Sequence, residues 1–397
     1  MRPLDGVRVL DLATFIAAPF AATILAEFGA EVIKVEQPVN GDPMRQFGTA
    51  TEIDDSSLAW LSEARNKHSI TLNLKAPEGV ELLKRLVRQT DVICENFRPG
   101  TLEKWGLGYE ILRAINPKLI VMRISGYGQD GPYRDRPGFA RIAHAVGGLT
   151  YLAGMPGEAP VTPGSTSLAD YISGLFGAIG VLMSLRTAEQ TGQGQEIDIA
   201  LFETIFRVLD ELAPAYARHG TVREREGLGT RNVCPHGHFP TKKKGWVAIA
   251  CTSDKIWKRM AINVLNRPDL ADSHPTTASR VLDRPLIEGA VSGFTTAHTA
   301  EKVVEICSRG EVPCGRINSI ADIFADPQFD ARGTLRRVQH AVLGEIVIPD
   351  VLPKLSASPG KVDELGPRLG DWNNEIYLNR LGLTKIELEL FEKRGVI

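Results

Sequence analysis

The chain has 397 residues, 43% hydrophobic and 24% charged, with a net charge of −2. That length supports two domains with sizeable cores, and the near-neutral balance excludes a general pull toward nucleic acid or an anionic membrane. The five cysteines, at 94, 234, 251, 307 and 314, form no C-x-x-C pair, which suits reduced thiols in a reducing compartment.

The opening Met1-Arg2-Pro3-Leu4-Asp5-Gly6 lacks the apolar core of a signal peptide. No apolar run reaches the roughly 18 residues that span a bilayer, so a cytoplasmic protein without a membrane segment is expected. The first 126 residues then alternate strand and helix. Strands are predicted over 8–12, 31–36, 69–74, 91–97 and 118–125. Helices are predicted over 20–28, 77–89 and 109–116, with Pro19 in a first turn where its missing N–H is not needed. Short apolar strands separated by amphipathic helices predict an α/β fold with a doubly wound, mostly parallel, Rossmann-like sheet.

Helices dominate 170–218, broken by a strand over 195–199. A hairpin follows, 238–241 with 246–251, turning across Lys242-Lys243-Lys244-Gly245. Helices come at 254–265 and 299–309, strands near 335–349, and a last helix after Thr384-Lys385-Ile386-Glu387, which has capping-box spacing. The domain reading is a large domain over 1–200 and 331–397, a small α+β domain over 226–316, and linkers at 201–225 and 317–330.

Asp170 stands between a polar stretch of small residues and an apolar run with glycines at 174, 177 and 180. A carboxylate at a helix start gains about 0.3–1 kcal/mol from N–H donors and the macrodipole. It is therefore expected to stay ionised, as a cap or as a nucleophile. The glycines let another backbone approach closely.

Other motifs point nowhere. Gly126-x-Gly128-x-x-Gly131 has dinucleotide spacing and follows a strand, but Pro132 to Gly138 reads as a loop, not the helix that would hold a pyrophosphate. His236-Gly237-His238 lacks a third and fourth ligand at normal spacing, so no metal is expected. There is no Gly-x-Ser-x-Gly elbow.

Several stretches in order carry a resemblance. They are Leu4-Asp5-Gly6-Val7-Arg8-Val9-Leu10-Asp11, Phe28-Gly29-Ala30-Glu31-Val32-Ile33-Lys34-Val35-Glu36, Arg65-Asn66-Lys67-His68-Ser69-Ile70, Glu95-Asn96-Phe97-Arg98-Pro99-Gly100, Ile124-Ser125-Gly126-Tyr127-Gly128-Gln129, the Asp170 segment, Ala325-Asp326-Pro327-Gln328 and Arg394-Gly395-Val396-Ile397. The set resembles the class III CoA-transferases, the family of formyl-CoA transferase and carnitine CoA-transferase, in particular the branch acting on succinyl-CoA and dicarboxylates. The resemblance implies an interlocked homodimer, with CoA and acyl-CoA as substrates and no permanently bound cofactor. It places the nucleophile on Asp170, which would pass through a mixed anhydride and an aspartyl-CoA thioester. CoA contacts carry over to Ile16, Ala17, Leu72, Lys75, Asn96, Phe97, Arg98 and Lys104. Ile16 stands where some members have glutamine, and Gln37 where some have arginine. Arg231 and His236 are candidates to clamp the distal carboxylate of an acceptor. An α-methylacyl-CoA racemase is the rival reading, but Phe139 and Ala140 stand where that branch has its histidine and aspartate. A non-catalytic subunit of a hetero-oligomer is the other.

Overall fold

A computed structural model describes residues 1–397. The chain forms two compact units: residues 1–149, 164–210 and 330–397 in the first, and 150–163 with 211–329 in the second. These bounds differ from those drawn from the sequence. Residues 150–163 were assigned to the large domain but cluster with the second unit, and 201–210 belong to the first unit rather than to a linker.

The first unit is built on a six-stranded parallel sheet of β1 (Arg8–Asp11), β2 (Glu31–Glu36), β3 (Lys67–Thr71), β4 (Val92–Glu95), β5 (Ile120–Ser125) and β6 (Glu196–Ala200). Its order is β3-β2-β1-β4-β5-β6. Val92, Ile93 and Cys94 are fully buried, as expected of a central strand covered on both faces. The order in which strands are laid down reverses between the parallel neighbours β1 and β4, so the loops leaving those two strands part and open a crevice at their carboxyl ends.

On one face lie α1 (Ala17–Glu27) and α3 (Leu168–Thr191); the short α2 (Ala140–Val146) and α4 (Leu201–Arg207) pack against α3. Two glycines let α3 lie close to α1 and to β5. A Cβ on Gly174 would stand 2.7 Å from the Ala17 carbonyl oxygen, and one on Gly177 would stand 2.5 Å from Met122 Sδ. On the opposite face Leu10, Ile33, Ile93 and Val121 meet the helices Pro77–Val87 and Tyr109–Ile115 and the C-terminal segment through Ile376, Tyr377 and Leu388.

Two sequence expectations are corrected here. The first helix starts at Ala17, not 20, because Ile16 already accepts the Phe20 N–H at 2.7 Å; Pro19 does lie in the first turn, as its third residue, where no N–H partner is required. In addition, α3 is long and apolar enough to cross a membrane by length and composition, although no such run was expected. Here it packs along α1 through its glycine face.

The second unit carries a four-stranded antiparallel sheet that includes β7 (Val233–Pro240) and β8 (Trp246–Ala250), joined across Lys242–Lys244. Its core gathers Cys234, Ile249, Trp257, Ile287 and Val303. Arg280 is fully buried, donating to the Cys234 carbonyl at 2.7 Å and to Asp254 at 2.9 Å. The helices Pro268–Ser273, Thr277–Leu282 and Arg284–Ala297 went unread in the sequence. At the far C-terminus, Thr384 and Glu387 form the capping box that starts Lys385–Lys393.

Candidate active site

The β1–α1 turn is the floor of the site, and it is unusually constrained. Asn96, just past β4, accepts the Thr14 N–H at 2.9 Å and donates to the Thr14 carbonyl at 2.7 Å. Phe15 is left-handed, with φ of 62°, which costs a bulky side chain roughly 1–3 kcal/mol unless its surroundings enforce it. Asp42 enforces it by accepting the Phe15 N–H at 3.0 Å. Asp42 in turn pairs with buried Lys34 at 2.9 Å, and Lys34 donates to the Ala13 carbonyl. Burial alone would lower the Lys34 pKa, but Asp11, Asp42 and Glu36 raise it on balance. Lys67 pairs with Asp11 at 2.9 Å and donates to the Pro19 carbonyl at 2.7 Å. The whole turn thus rests on a buried ion cluster.

Above this turn lies a cavity of about 230 Å³ in the first unit. Its walls are Thr14 to Ala17, Asn96 to Pro99, Ile124 to Gly126, Pro137 to Phe139 and Asp170. The Gly126 motif serves a close backbone approach: a Cβ on Gly126 would stand 3.0 Å from the Gly138 Cα. Three arginines, Arg98, Arg134 and Arg136, also line the cavity. Arg134 lies 3.7 Å from Asp135 and Arg136 stacks 3.6 Å over the Tyr133 ring. The site therefore offers guanidinium groups to an anionic ligand.

Asp170 lies in the first turn of α3 and is half-buried. The capping expectation fails. Its N–H bonds the Ser167 carbonyl at 2.9 Å, but no hydrogen bond reaches its carboxylate, and the Ser167 side chain does not cap the helix either. Without donors to favour the charged form, burial dominates and pushes the Asp170 pKa up to about 7. The carboxylate expected to be permanently ionised is instead poised near neutrality. A more basic carboxylate is a better nucleophile once it ionises.

The sequence profile of CoA-transferase family III matches residues 4–373. The chain belongs to this family. The succinyl-CoA–L-malate CoA-transferase alpha subunit of Chloroflexus aurantiacus is 50% identical over 100% of this chain and 92% of its own. The beta subunit from the same organism is 52% identical over 100% of this chain and 98% of its own. A succinate–glutarate CoA-transferase of Agrobacterium fabrum is 35% identical, covering 94% of each. Among solved structures, a CaiB/BaiF family protein of Brucella suis is 33% identical and superposes with a TM-score of 0.84 over 95% of this chain and 99% of that one. The chain is a CoA-transferase of the branch that includes these dicarboxylate enzymes.

In the transferase, Ile16, Ala17, Asn96, Phe97 and Arg98 gather around the same cavity as Asp170. Leu72 is a core side chain, 1% exposed; with Phe97 and Gln37 it borders a second, smaller cavity of about 40 Å³. Lys75 and Lys104 are exposed and line neither cavity. Arg231 and His236 lie in the second unit. Arg231 is exposed and its carbonyl accepts from Arg284 at 3.0 Å; His236, on β7, lies 3.4 Å from Thr230 Oγ1. Phe139 faces the cavity and Ala140 is buried, and neither side chain has a titratable group that could move a proton. Sequence reasoning missed Phe15, Arg134 and Arg136. The signal for the arginines was present, a charged Arg-Asp-Arg in the loop that replaces a phosphate-binding helix.

Proposed function

We propose that the transferase moves CoA from a succinyl-type acyl-CoA donor to a dicarboxylate or hydroxy-dicarboxylate, with Asp170 as covalent nucleophile. The observation that carries this is a basic, unbonded carboxylate in a cavity lined by arginines. The names of the relatives support the substrate class.

The Asp170 carboxylate attacks the donor thioester carbonyl and expels CoA thiolate, leaving a mixed anhydride. The thiolate attacks the Asp170 acyl carbon, which frees the donor carboxylate and leaves an aspartyl-CoA thioester. The acceptor carboxylate attacks that thioester and again expels thiolate. The thiolate then takes the acceptor acyl carbon and frees Asp170. Anhydride and thioester are comparably activated, so no ATP is needed. Ile16, Ala17, Asn96, Phe97 and Arg98, which line the cavity, hold CoA in this reading, with Arg98 best placed for its phosphates, while Leu72, Lys75 and Lys104, outside that cavity, would meet only the far end of CoA. Arg231 and His236 clamp the far carboxylate of the acceptor. The cytoplasm is the assigned compartment.

The working unit in this reading is an interlocked homodimer. An exposed apolar stripe on α3, formed by Leu175, Phe176, Ile179, Leu182 and Met183, supports association. Relatives named as alpha and beta subunits favour a second arrangement, a hetero-oligomer with a sister chain. Sedimentation of the protein expressed alone separates the two: an active dimer supports the first, and an inactive chain rescued by a second polypeptide supports the other.

The nucleophile is tested by incubating the enzyme with succinyl-CoA alone. An adduct on the peptide containing Asp170, trapped by hydroxylamine, is expected. Release of free succinate with no adduct would show a general base acting through water instead.

A further inference from the structure

The first turn of α3 has no cap of its own. The Ser167 side chain makes no capping bond, while Asp170 and Tyr171 both return their N–H groups to the Ser167 carbonyl, at 2.9 and 3.2 Å. The remaining inner donor, the N–H of Ala169, is bonded from outside the helix. It donates to Nε2 of His144 at 3.0 Å, across 25 residues of chain.

His144 is 2% exposed and belongs to α2. A ring nitrogen accepts only when it carries no proton, so this bond requires neutral imidazole with its proton on Nδ1. Burial, then the charge of Arg141, lower the His144 pKa and favour that neutral form. The Nδ1–H is itself buried and has no partner. A methionine would fill similar space without an unmet donor, so packing alone does not account for the ring.

The bond joins two walls of the cavity. Phe139, at the start of α2, lines it from one side and Asp170, one residue past Ala169, from the other. One turn further along α3, Ser173 bonds Thr204 of α4 at 2.7 Å. Asp170 is therefore held on both sides, while its own carboxylate is left unbonded.

We propose that His144 is a positioning residue for the transfer reaction: its Nε2 replaces the missing N-cap of α3 and fixes Asp170 relative to the Phe139 wall. This rests on Asp170 being the nucleophile. The imidazole does not touch the reacting atoms. It holds the turn so that the carboxylate meets the face of the thioester carbonyl, and a misplacement of about 1 Å can cost on the order of 100-fold in rate.

The decisive comparison is His144→Gln against His144→Met, two side chains of similar length that differ in whether the end accepts a hydrogen bond. His144→Met is expected to lower kcat at least about tenfold while KM for succinyl-CoA stays within about twofold, the pattern of an interaction realised in the transition state. His144→Gln is expected to recover kcat to within about threefold of native. Hydrogen exchange on peptides spanning 167–171 reads the same bond without turnover, with protection in the native and Gln proteins and its loss in Met. If His144→Met does not fold, His144→Asn, whose amide is too short to reach, takes its place. Native kcat in the Met variant, a Gln variant as slow as Met, or a change confined to KM overturns the proposal. Asp170→Asn is assayed alongside. If Asp170→Asn is inactive but His144→Met is fully active, only the role of His144 falls. Transfer retained in Asp170→Asn removes the nucleophile reading, and this inference with it.

Discussion

Replacing Asp170 with asparagine should abolish transfer and stabilise the protein, and the stabilisation should grow with pH. Burial without hydrogen bonds raises the Asp170 pKa from its ordinary 3.8 to about 7. At 1.36 kcal/mol per pKa unit that rise corresponds to about 4 kcal/mol against the ionised form. Because the side chain is only half-buried, solvent screens part of this, and about 2–4 kcal/mol is the working range. The sign follows from proton linkage. The folded state binds the proton more tightly than the unfolded chain, so stability is highest below 3.8, falls as pH rises from 3.8 to about 7, and is flat above. Asparagine has the same shape and never ionises. The variant should therefore gain little over native near pH 4 and its full advantage by pH 8. The assay is urea unfolding of both proteins at pH 4, 6 and 8, with transfer measured on the same preparations. Native kcat/KM should fall about tenfold per pH unit below about 7, as the nucleophile is protonated. An advantage that is the same at pH 4 and pH 8, or an acid limb centred near pH 4, would refute the reasoning.

Three other perturbations have defined outcomes. Gly174→Val should cost at least about 1–3 kcal/mol of stability and impair transfer, because its Cβ would stand 2.7 Å from the Ala17 carbonyl and 2.9 Å from Phe20, pushing α3 off α1; equal unfolding midpoints for variant and native would count against it. Lys67→Met should cost about 3–5 kcal/mol by leaving Asp11 with only the longer 3.6 Å pairing to Lys34, a loss readable as a lower urea midpoint, and a neutral result would show that the Lys34 pairing alone suffices for Asp11. Arg231→Met should raise KM for dicarboxylate acceptors far more than for monocarboxylates, since it removes a charged contact to one end only; equal losses for both classes would dismiss the clamp.

What the sequence determined by itself was local. β2 reads directly from its apolar run, the terminal helix from its Thr384 and Glu387 spacing, and a close backbone approach to α3 from its glycine at 174. These depend on neighbours a few residues away, which is the range over which periodicity and capping act. The ordered motifs also placed Asp170 and five of the cavity residues.

What the tertiary structure decided was the state of those groups. From the sequence Asp170 was an ionised carboxylate, a cap or a nucleophile; only the fold shows a helix N-terminus with no donor turned to it and enough burial to raise its pKa to about 7. Leu72 matched a binding motif but went to the core, and Lys75 and Lys104 matched but stayed in solvent. Arg136 was an unremarked loop residue until the fold set it in the lining of the cavity that also holds Asp170. The bond from Ala169 to His144 spans 25 residues and has no local pattern at all. Burial, pKa and through-space partners are set by what lies within a few ångströms, and chain order says little about that once the sheet has brought distant loops to one edge.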